Sequence, residues 1–147
     1  MSLQDQVMSQ MKEAMKAKST LALQALRAVK SAMLLEQTSG NGNMTAEDEI
    51  KLLQKLVKQR KDSAALYKEQ GREDLMQPEL DEAAVIEQFL PKQLSVEEVK
   101  AAVQQIISKV GATSMQDMGK VMGMASKELA GQSDGKTIST VVKELLS

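Results

Sequence analysis

The chain has 147 residues, a formal net charge of −1, 42% hydrophobic and 27% charged residues, the balance of a soluble globular protein. It holds no cysteine and no histidine, which excludes disulfides, thiolate chemistry, sulfur-ligated zinc and imidazole acid–base work. The only aromatics are Tyr67 and Phe89, and there are two prolines, so leucine, methionine and alanine must fill an all-α core.

In chain order, Ser2 caps a first helix whose apolar face is Leu3, Val7, Met8, Met11 and Met15. Ser19 or Thr20 caps the second, LALQALRAVKSAMLLE, apolar nearly all round and so expected at the centre of a bundle. It stops at a Ser39–Asn43 loop. Thr45 caps the third, with Glu47, Asp48 and Glu49 at its positive end. Leu53, Leu56, Val57, Ala64 and Tyr67 form its inner face, and Lys51, Lys55 and Lys58 the opposite one. Arg60 lies inside the apolar stripe and calls for a buried carboxylate. Glu36 is the expected partner in a structural ion pair, with Glu79 and Glu82 as alternatives. Gly71 ends the third helix. Asp74 opens a fourth, in which Pro78 either kinks the helix or marks its true first turn, and Pro91 ends it.

Lys92–Leu94 is the expected boundary between a four-helix unit, residues 1–91, and a three-helix unit, residues 92–147. Ser95 and Glu98 form a capping box for the fifth helix, which ends at Gly111. The stretch from Gly111 to Ile138 then holds five of the eight glycines and four of the eleven methionines. Ser114 with Asp117 opens the sixth helix and Asp134 the seventh. Met118, Val121, Met122, Ala125 and Leu129 fall on one face of the sixth. Beside them Gly119, Gly123, Ser126 and Ala130 form a stripe nearly free of side chains. Each glycine inside a helix costs about 1 kcal/mol against alanine, so something should approach that stripe closely. A packed neighbouring helix, an RNA backbone and a partner helix are all compatible with it.

Two nucleotide- and hydrolase-like patterns fail on context. Gly131–Gly135 reads G-x-S-D-G, but a helix precedes it and no histidine exists to serve a nucleophile elbow. Gly131–Thr137 is one residue short of a Walker A loop and lacks the strand before it. Gly135, Lys136 and Thr137 still open a helix whose N–H groups suit an anion, unless Asp134 serves as a plain cap. The apolar stretches fall short of the ~20 residues needed to span a bilayer, and the N-terminus lacks a signal core. A cytoplasmic protein with no cofactor and no metal is expected.

GATSMQDMGKVMG followed by G-x-S-D-G, preceded by LPKQLSVEEV, resembles the YqeY-like proteins; LRAVKSAMLLE, KQRKDSAALY and GREDL resemble their N-terminal half. That family is similar to the tail domain of the B subunit of aspartyl/glutamyl-tRNA amidotransferase. The resemblance implies a tRNA-binding or amidotransferase-like accessory module, linked to carbon–nitrogen ligases that use glutamine as amido donor. Its implied partners are tRNA and the proteins of tRNA amidation. The residues show no autonomous active site, and the scarcity of aromatics argues against base-by-base reading of single strands. The expected RNA contacts are Gly119, Lys120, Gly123, Lys127, Gly135, Lys136 and Thr137. The alternative is a helical protein-interaction adaptor that binds no RNA, using the glycine stripe or the methionine-rich helix.

Overall fold

The computed structural model describes residues 2–40 and 42–147; Met1, and Asn41 in the expected Ser39–Asn43 loop, lie outside the described residues. The protein is all-α. Seven α-helices and one short 3-10 turn form among the described residues, with no strand. The chain divides into two compact units, Met1–Leu90 and Pro91–Ser147.

The first unit holds α1 (Leu3–Lys16), α2 (Thr20–Ser39), α3 (Ala46–Glu69) and α4 (Glu73–Glu87). Short-range hydrogen bonds fix where most of them begin. Ser2 Oγ accepts from the Asp5 N–H at 3.1 Å and Ser19 Oγ from the Ala22 N–H at 3.4 Å. At α3 the box is reciprocal: Asp48 N–H donates to Thr45 Oγ1 and Thr45 N–H to Asp48 Oδ2, each at 3.1 Å. The Thr45 N–H, helped by the nearby Thr45 hydroxyl, holds the Asp48 carboxyl below its ordinary range. Gly71, at φ +71°, lets the chain reverse between α3 and α4, which pack closely on each other. Pro78 lies inside α4, past its first turn, rather than opening it. The core is Val7, Leu26, Val29, Leu53 and Ile86, all essentially inaccessible. Each contributes about 1.5–3 kcal/mol by leaving water.

Two expectations for this unit need correction. In α1 the buried positions are Leu3, Val7 and Ala14, whereas Met15 faces outward and is 61% exposed. A helix packed mainly on one neighbour buries only a narrow stripe, and Met15 falls beyond its edge. In α2, Leu34 and Leu35 remain 56% and 67% exposed, so the helix is not enclosed on all sides.

The second unit holds α5 (Val96–Val110), the 3-10 turn Met115–Asp117, α6 (Met118–Glu128) and α7 (Gly135–Leu146). Its three α-helices pack pairwise around Val99, Val103, Ile106, Val121 and Val142. Ser95 and Glu98 form the capping box of α5: Glu98 N–H donates to Ser95 Oγ at 3.2 Å, and Ser95 N–H donates to Glu98 Oε1 at 3.0 Å, the bond that does most to hold the Glu98 carboxyl below its usual range. The sixth helix starts differently from expectation: Ser114 Oγ accepts from Gln116 N–H and opens the 3-10 turn, which then runs into α6. Gly131 is buried at φ +80°, and its carbonyl accepts from Gln93 Nε2 at 2.6 Å. Together with the Leu94 N–H to Gln132 carbonyl bond of 2.9 Å, this ties the start of the unit to the α6–α7 loop.

Candidate nucleic-acid interface

The inner face of α6 is as the apolar spacing requires, with Val121, Ala125 and the following Leu129 buried and Met118 and Met122 packed against them. Its other side decides the glycine question. Gly119, Gly123, Ser126 and Ala130 are all exposed. A Cβ built at Gly119 or Gly123 would meet nothing within 4 Å. The stripe is therefore not a notch for another helix of this unit. Lys120 and Lys127 lie on the same exposed side, separated by two helical turns with Gly123 between them. Neither has an ion-pair or hydrogen-bond partner among the described residues. The outer surface of α6 thus combines a backbone within reach of a large ligand and two unpaired cations.

The remaining expected residues occupy a different place. Asp134 Oδ1 accepts from the Thr137 N–H at 2.7 Å, so the start of α7 carries its own carboxylate cap. That bond takes one of the donors an anion would need, and the carboxylate repels a second negative charge. Lys136 and Thr137 instead line a groove of about 260 Å³ between α5 and α7, with Lys100, Thr140 and Glu144. Lys100 Nζ faces Glu144 Oε2 at 3.6 Å. No α6 residue lines this groove. The seven expected residues accordingly fall in two places, Gly119–Lys127 on α6 and Gly135–Thr137 at the start of α7, of which Lys136 and Thr137 reach the α5–α7 groove. Lys100 escaped the sequence reading because only tertiary packing brings it beside Lys136.

Arg60 has a structural setting. Its Nη1 donates to the Leu56 carbonyl at 3.1 Å, and its Nε faces Glu82 Oε1 at 3.7 Å, with both side chains mostly buried. The Nε is buried without a hydrogen-bond partner. The carboxylate beside Arg60 is Glu82 of α4, not Glu36, which is exposed on α2. Burial raises the Glu82 pKa, Arg60 opposes that shift, and the neighbouring charge of Glu79 adds to it.

The chain matches the model of the Yqey-like protein family over residues 4–146 and belongs to that family. It is similar to the E subunit of glutamyl-tRNA(Gln) amidotransferase from Thermococcus gammatolerans, 35% identical over 101 residues, which are 66% of this chain and 16% of that protein. It is also similar to altered inheritance of mitochondria protein 41, mitochondrial, of Clavispora lusitaniae, 28% identical over 123 residues, 82% of this chain and 72% of that protein. The chain thus spans only a small part of the amidotransferase polypeptide it matches. No helix among the described residues is long and apolar enough to cross a membrane.

Proposed function

We propose that this protein is a tRNA-binding accessory module of tRNA-dependent amidation, and that it holds RNA by shape along the outer surface of α6. The observation that carries this reading is the solvent-facing Gly119/Gly123 stripe, flanked by the unpaired Lys120 and Lys127. Two glycines in a short helix weaken it, and internal packing does not require them here. A ligand backbone lying against α6 accounts for both the missing side chains and the charge. The similarity to part of a glutamyl-tRNA(Gln) amidotransferase supports tRNA as that ligand. With no histidine or cysteine in the chain, the proposed role is binding and positioning, and the carbon–nitrogen ligase chemistry belongs to partner proteins. The proposed setting is the cytoplasm, although one relative is named as mitochondrial. Residues 91–147 are the proposed counterpart of an amidotransferase tail.

A bulky substitution tests the surface directly. Gly123→Leu places a side chain on the exposed stripe, where its Cβ clashes with nothing. The variant should fold and lose tRNA affinity by about tenfold or more, equivalent to 1.4 kcal/mol. Unchanged affinity in the folded variant would falsify the α6 reading.

A further inference from the structure

A second unpartnered feature, apolar in its floor, lies between α1 and α2 of the first unit. Val7 and Met8 of α1 and Met33 and Leu34 of α2 floor a groove with a hollow of about 50 Å³. Val7 and Met33 are buried, whereas Met8 and Leu34 stand 39% and 56% exposed along it. Gln4, Gln37 and Lys30 complete the lining, which contains no carboxylate. Arg27 lies one turn from Lys30 on α2 and is exposed. Neither cation has a partner among the described residues. The groove is therefore an apolar strip with positive charge on one rim.

We propose that this groove binds an acidic amphipathic helix of a partner protein. Charge selects the occupant's sign: Lys30 and Arg27 are unpaired and complement carboxylates beside an apolar stripe. Backbone chemistry selects its shape. The described residues contain no strand, so no sheet edge exists to pair an extended peptide. A helix satisfies its own backbone and lays side chains into the seam between two other helices. The hollow is the size of one aliphatic group, which sets a single leucine-like anchor between Met8 and Leu34. The two methionines let the floor adjust to that anchor.

The test uses the full chain labelled at its methionine methyl groups. The probe is a peptide of about 20 residues, long enough to form a helix, with leucine on one face and glutamate on the other. The Met8 and Met33 signals should shift saturably, and a lysine-for-glutamate peptide should bind about tenfold more weakly. Leu34→Glu, at an exposed position, should abolish the shifts, and Lys30→Glu should invert the preference between the two peptides. The proposal is overturned by no shift at about 1 mM peptide, by equal affinity for both peptides, or by undiminished binding to Leu34→Glu. A self-association that Leu34→Glu abolishes, with no peptide binding, would give the groove to a second copy of the chain and also overturn it.

Discussion

Alanine at Gly123 should make the protein more stable while removing nothing that the fold uses. Gly123 sits in the middle of α6, exposed, and an added Cβ meets no atom within 4 Å. The substitution therefore acts through backbone entropy and helix propensity alone, for a gain of about 1 kcal/mol. For a unit of roughly 60 residues that gain raises the thermal midpoint by about 4–8 °C. Circular dichroism on heating gives the shift, and denaturant titration should show a higher midpoint with an unchanged slope. Hydrogen exchange at the buried Val121 and Ala125 amides would locate the gain in α6. Gly119→Ala, at the second residue of the helix, should give less, since propensity acts most strongly in the interior. A Gly123→Ala protein less stable than the parent would mean that the stripe is packed rather than open to solvent.

The other predictions concern the ionised groups. Arg60→Met leaves the Glu82 carboxylate without its partner and should cost about 1–3 kcal/mol, below the cost for a fully enclosed pair because both side chains keep some solvent contact. Adding Glu82→Leu should restore part of that loss, and strictly additive losses in denaturant titrations would remove the ion pair from the account. The Glu98 carboxyl has a lowered folded pKa, so its stabilisation is complete above the ordinary value of 4.5 and disappears as pH falls through the folded value. Glu98→Gln removes the titrating carboxyl and should flatten the stability–pH curve of the second unit below that value. An identical acid limb in parent and variant would contradict this.

Features set by residues three or four apart were legible in the sequence. The Thr45/Asp48 and Ser95/Glu98 boxes, the left-handed Gly111 and the Val121/Ala125/Leu129 face follow from local hydrogen-bond chemistry and helical period. Whatever depended on the packing partner was not. The sequence favours Glu36 over Glu79 and Glu82 as the partner for Arg60, but α3 packs on α4 and sets Glu82 beside it. The apolar circumference of α2 suggested enclosure, yet Leu34 and Leu35 stay outside because a helix face is buried only where a neighbour covers it. The glycine stripe allowed opposite readings, since spacing places it beside the apolar face without saying what lies against it. The 3-10 entry to α6 was missed because a serine followed three residues later by an aspartate announces a helical start without distinguishing its first turn.

RNA binding along α6 is tested by the salt dependence of tRNA affinity in the full chain and in Lys120→Ala and Lys127→Ala. Phosphate contacts make log affinity fall linearly with log salt concentration, and each lysine removed should reduce that slope by about one unit or less. The parent should show a steep fall, both α6 variants a shallower fall and weaker binding, and Lys55→Ala, on the exposed face of α3, the behaviour of the parent. Binding that ignores salt, or that is indifferent to both α6 lysines, would contradict it.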